Sequence, residues 1–158
     1  MFSTMDNQTR DRARSIFACE QMGLIPPHEL PDFATELLVL GYDSSSLREL
    51  AGLPKGDRSD AAELWETVRE ELGIPREADE AAPRFLLKHW AREITDGRLD
   101  VLQGSRLMLR VGWFPLGQPK ELNLLWGLLD DWDEIPRLRD QIASELLVFA
   151  RELLRNDS

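Results

Sequence analysis

The sequence predicts an all-α fold, a compact bundle of about seven or eight helices with a single core, and three observations predict it. Apolar residues recur at three-and-four spacing in one segment after another. Glycine and proline interrupt the chain at intervals suited to helices, and no pair of alternating segments joined by a hairpin turn occurs. The 158 residues, 42% hydrophobic and 30% charged, match the size of one domain able to bury a core, so 1–158 is read as a single helical domain.

The first helix spans residues 6–22, with Ala13, Ile16, Phe17 and Cys19 at helical spacing and Gly23 as its stop. Residues 24–27 contain Pro26 and Pro27 and read as an extended linker, and the second helix begins near Pro31 and carries Phe33, Leu37, Leu38 and Leu40. Gly41 can take the left-handed conformation that ends a helix, and Asp43, Ser44 or Ser45 can accept the free N–H groups of a short helix over about 44–51. Gly52 and Pro54 close it, and Lys55, Gly56 and Asp57 form a polar turn. The fourth helix, about 59–72, places Ala61, Leu64, Trp65, Val68 and Leu72 on one face and most of its acids on the other.

After Gly73, Ile74 and Pro75 and an acidic connection comes a helix with Leu86, Leu87, Trp90, Ala91 and Ile94, stopped at Asp96 and Gly97. Residues 99–102 read as a further short or medium helix. Over 106–113, Leu107, Leu109 and Val111 alternate as in a strand, whereas Leu102, Leu109 and Trp113 suit a helix; helix is the preferred reading because a strand would lack a partner. Residues 114–119 are a loop, and a helix over about 120–131 carries Leu122, Leu125, Trp126 and Leu129. Ile135, Leu138, Ile142, Leu146, Phe149 and Leu153 mark the last helix. Trp65, Trp90, Trp113, Trp126 and Trp132 fall on different elements and are expected in the core, with Trp132 and the Trp113–Phe114 pair as the candidates for exposed anchors.

The net charge of −10 counts against a nucleic-acid partner, whose affinity rests on Lys and Arg meeting phosphates. The charge is uneven: residues 57–80 hold nine acids against three bases, and Asp130, Asp131, Asp133 and Glu134 form a second run. No apolar stretch has the length of a membrane span, and residues 1–14 lack the apolar core of a signal peptide, so a cytoplasmic setting is expected. Cys19 has no second cysteine to pair with and is expected to be a small core residue.

Motifs that carry chemistry are missing. Gly104, Gly112 and Gly117 have no nucleotide-loop spacing, and His28 and His89 stand apart with no Cys-x-x-Cys or His-Glu-x-x-His, so no cofactor and no metal site is expected. His89 and Glu93, one helical turn apart, suit a solvated pair or an acid/base pair beside Trp90 in an interhelical pocket. Ser44, Ser45 and Ser46 have no nucleophile elbow and are explained by capping. The 130–134 run lacks the ligand alternation and glycine of a calcium loop and reads as a solvated helix end.

Ser46, Leu47, Arg48, Glu49, Leu50, Ala51, Gly52 and Leu53 look like the first helix and turn of a helix-turn-helix. The helix that follows would have to read DNA, yet it offers Asp60, Glu63, Glu66, Glu70 and Glu71 against Arg69, after a lead-in too long for a tight turn. The segment Gly41-Tyr42-Asp43-Ser44-Ser45-Ser46-Leu47-Arg48-Glu49-Leu50-Ala51-Gly52-Leu53, with Asp96-Gly97-Arg98-Leu99-Asp100 through Gly104, resembles a group of small bacterial helical proteins to which no activity is assigned. The resemblance implies a bacterial cytosolic setting and no catalytic residues; those proteins tend to have proline where this chain has Val101.

Charge segregation without catalytic motifs points to a non-enzymatic interaction protein that turns an acidic face toward a basic protein partner, one form being an immunity or antitoxin-like inhibitor. The residues expected to meet the partner are Glu63, Glu66, Glu70, Asp130, Asp131, Trp132, Asp133 and Glu134. The alternatives are a helix-turn-helix-like regulator and an enzyme or small-ligand binder with a pocket between helices.

Overall fold

Every regular element in the described residues is helical. The computed structural model describes residues 3–54 and 60–155, with side chains from residue 7 onward. Eight α-helices follow one another: α1 (Ser3–Gln21), α2 (Leu30–Val39), α3 (Ser45–Ala51), α4 (Ala61–Leu72), α5 (Ala81–Thr95), α6 (Val101–Gly112), α7 (Glu121–Glu134) and α8 (Arg139–Arg155). The expected polar turn at 55–57 and the expected helix start at Ser59 lie outside the described residues.

The helices group in two compact units, Met1–Glu77 and Ala78–Ser158. In the first, Ile16, Phe17, Leu30, Leu37, Leu47, Leu50, Trp65 and Val68 form a buried apolar cluster contributed by all four helices. α2 packs on α3, and both pack on α4. In the second, α5 packs on α6 and α8, and α7 on α6 and α8, around Leu86, Met108, Leu122, Leu125, Ile142 and Leu146.

The corner between α2 and α3 forms as its residues dictate. Gly41 has a φ of 107°, a backbone conformation that other residues rarely adopt, and the chain turns there. Ser44 then takes extended backbone and its side chain accepts from the Leu47 N–H, capping α3. The neighbouring Ser46 is met from α4: its N–H and its Oγ both donate to the Glu71 carboxylate, at 3.0 Å and 2.8 Å. Thus α3 is capped by its own serine and by an acid from the next helix, placed where the positive end of the helix dipole favours it.

Four local readings are sharpened. The linker expected over 24–27 gives way at Pro27 to a 3-10 turn, Pro27–Glu29, because proline fixes a φ that suits such a turn. Residues 99–102 and 106–113 are not two elements: α6 is one continuous helix whose N-cap is Asp100, accepting from the Gln103 N–H at 3.0 Å. The alternation of Leu107, Leu109 and Val111 is incidental, since the buried residues Gly104, Ser105, Met108, Val111 and Gly112 follow helical spacing. Finally, α7 continues to Glu134, and α8 starts only at Arg139 after a 3-10 turn, Pro136–Leu138, set by Pro136.

Candidate interaction site

The two acidic runs occupy different helices in different units, and their surroundings differ. On α4, Glu63, Glu66 and Glu70 are exposed and fall within about 60° of one another at 100° per residue. Trp65 and Val68 are buried on the opposite side. Part of this charge is already met: Arg76 lies 3.4 Å from Glu66 and 3.7 Å from Glu20, and Glu71 caps α3. Glu63 sits in the first turn of α4, where a carboxylate stabilises the helix.

The run on α7 has the opposite setting. Asp131, Asp133 and Glu134 lie in its last turn, Asp130 just before them, all exposed, and that turn holds no basic residue. Carboxylates there face the negative end of the helix dipole, each at a cost of about 0.3–1 kcal/mol. Arg106 pairs with Asp133 at 3.1 Å. Arg139 donates from Nε to the Trp132 carbonyl at 2.9 Å and places its guanidinium over the Trp132 ring at 5.3 Å. Among the described residues, Asp130, Asp131 and Glu134 have no ion-pair partner.

The aromatic candidates fall only in part as expected. Trp65 and Trp90 are buried, as core packing requires. Trp132 is half-buried under Arg139, and Trp113 is half-buried against Trp126, ring centroids 5.3 Å apart. The two strongly exposed aromatics of this unit are Phe114, 73% exposed, and Trp126, 50% exposed. Helical phase explains Trp126: Leu122, Leu125, Leu128 and Leu129 centre the buried side of α7, and Trp126 stands about a quarter turn away from that centre. Counting it with the leucines as one apolar set hid this. The same phase brings Trp126, Asp130, Asp133 and Glu134 into one sector of about 100°.

The other candidates resolve as follows. His89 is buried and stacks on Phe85, ring centroids 5.6 Å apart; its Nε2 lies 3.8 Å from Glu93 Oε1, beyond hydrogen-bond reach, and Glu93 is engaged by the Arg98 guanidinium. Cys19 is half-buried, and burial pushes its thiol up to about 11. Among the described residues no group of three His, Cys, Asp or Glu could hold a metal ion, and no helix is long and apolar enough to cross a membrane.

No protein-family model matches the chain, and no curated protein or solved structure gives a significant match.

Proposed function

We propose that the chain is an interaction protein that presents the Trp126–Asp130–Asp133–Glu134 sector of α7 to a basic protein partner. The single observation that carries this reading is the carboxylate-rich last turn of α7, which disfavours its own helix and has no base within it. An exposed aromatic beside unpaired carboxylates suits Lys and Arg side chains, which pair with the acids and stack on the ring. Long-range attraction would speed the encounter, as in an immunity or antitoxin-like inhibitor that covers a cationic site. On α4, Glu63, Glu66 and Glu70 are a weaker candidate, because Arg76 meets Glu66 and Glu63 favours its helix.

The test is affinity capture from the native cell at low and high salt, comparing the wild-type chain with D130N/E134Q and with W126A. Expected is a basic protein retained at low salt, released by salt, and lost with the double variant and with W126A. Retention of the same proteins by all three chains, or of none, overturns the reading.

A further inference from the structure

The first unit carries a cleft that the acidic interface does not involve. Its floor is one stripe of α1, Arg10, Ala13, Arg14, Phe17 and Gln21, and its volume is about 230 Å³. One wall is the strap 74–77 and the other is Tyr42, from the corner between α2 and α3. The strap is fixed at both ends. Arg69 Nη1 donates to the Ile74 carbonyl at 3.3 Å, and the Gln21 side-chain amide clamps Glu77, donating to its carbonyl at 2.8 Å and accepting its N–H at 2.9 Å. The walls are therefore set before anything enters, which lowers the cost of binding.

Charge is distributed unequally over this cleft. Arg12 is held by Glu36 and Arg14 by Glu77, so the Glu77 carboxylate at the rim is already met. Arg10 has no ion-pair or hydrogen-bond partner among the described residues, although this unit has 15 Asp and Glu against 8 Lys and Arg. The Tyr42 hydroxyl likewise has no partner among them. Arg10 and Tyr42 also line an adjoining hollow of about 170 Å³ with Thr9, Leu40 and Gly41. Two donors without partners among the described residues thus line a cleft together with the apolar Ile74 and Pro75.

We propose that this cleft binds a small carboxylic acid with a single-ring aromatic or short aliphatic body. The carboxylate would accept from the Arg10 guanidinium and the Tyr42 hydroxyl, and the body would pack on Ile74 and Pro75. The volume lies below the range of about 300–1,000 Å³ usual for larger ligands, which selects a body of one ring. A charge-assisted hydrogen bond from arginine favours the acid over its neutral amide.

The test is amide-resolved NMR titration of the full chain with phenylacetate and with hexanoate, using phenylacetamide as the neutral counterpart. Expected are saturable shifts centred on Arg10, Phe17, Tyr42 and Ile74, with Kd on the order of a millimolar or tighter for an acid of this size. Phenylacetamide is expected to bind about tenfold more weakly, and R10Q to weaken phenylacetate about tenfold, while Y42F weakens it less. Arg10 is exposed and without a partner among the described residues, so R10Q should leave the rest of the spectrum and the thermal midpoint unchanged. The proposal is overturned by the absence of saturable shifts with both acids, by equal binding of acid and amide, or by undiminished binding to R10Q. Because α7 is untouched, these outcomes are independent of the capture experiment.

Discussion

Arg69 holds its guanidinium over the Phe17 ring at 5.0 Å and donates from Nη2 to the Phe17 carbonyl at 3.0 Å. Phe17 also packs against Trp65, ring centroids 4.7 Å apart, so two residues of α4 one turn apart hold a single residue of α1. Arg69 is only 4% exposed, and Glu20 lies 3.5 Å from it, which keeps a buried cation in place despite the desolvation that lowers its pKa. The R69A substitution removes the grip, leaves the Phe17 and Ile74 carbonyls without their donor and leaves Glu20 with Arg76 alone. It is expected to lower stability by about 3 kcal/mol, whereas R69M, which keeps the packing on Phe17, should cost less. Urea unfolding with unchanged m-values measures both.

Glu71 gives a prediction with a definite pH dependence. The Ser46 N–H and the hydroxyls of Ser46 and Ser44 hold its carboxyl below the usual 4.5. A carboxyl depressed on folding stabilises the protein above its unfolded pKa, and the contribution is lost as pH falls through the folded value. Wild type should therefore melt above E71Q at pH 7. The gap should stay level down to about 4.5 and close below it, as thermal melts across that range would show.

These two contacts also mark how far the sequence can be read. Helices were legible because local signals determine them: Ser44 caps α3, Asp100 caps α6, and the three-and-four spacing in α4 and α8 survives folding. What a carboxylate meets in space was not legible. Glu70 and Glu71 are neighbours in one acidic run, yet Glu71 turns to α3 and Glu70 to solvent, a difference of 100° around the helix combined with the position of Ser46. Trp126 could have been placed at the edge of the apolar side of α7 by helical phase alone. The alternation in α6 misled because a helix flanked by small Gly104, Ser105 and Gly112 also shows period-two leucines.

Gly104 and Gly127 both lie inside helices, and alanine at the two positions should act with opposite sign. A Cβ at Gly104 would stand 2.6 Å and 2.8 Å from the Ile94 side chain and 2.9 Å from Leu99, where α6 meets α5. Buried Ile94 cannot withdraw freely, so G104A is expected to cost about 1–3 kcal/mol in spite of alanine's helix preference. Around Gly127 nothing lies within 4 Å, and G127A should gain about 1 kcal/mol. Chemical unfolding of the two variants beside wild type measures the contrast.

Cys19 is expected to be slow toward thiol reagents. Its thiol is pushed up from 9.0 to about 11 by burial, and the nearby Arg12 charge opposes this only in part. At pH 8 the thiolate fraction is then roughly a hundredfold smaller than at the ordinary value, and alkylation by iodoacetamide should slow by about that factor until denaturant is added. A rate equal to that of the unfolded chain would mean that the first unit opens readily around α1.

The carboxylates at the end of α7 predict a gain of stability on their removal. Asp131 and Glu134 lie in the last turn, exposed and without an ion-pair partner among the described residues, whereas Asp133 has Arg106. If they serve a partner rather than the fold, D131N and E134Q should each raise stability by about 0.3–1 kcal/mol, and the gain should shrink at high salt as the dipole interaction is screened. Thermal melts at two ionic strengths measure this. A loss of stability in both variants would show that the helix needs these charges, and the α7 sector would then lose its claim to be a surface shaped for binding. A gain in stability in E134Q with loss of its capture would place the two effects in one residue, as expected where a site costs the fold what it supplies to recognition.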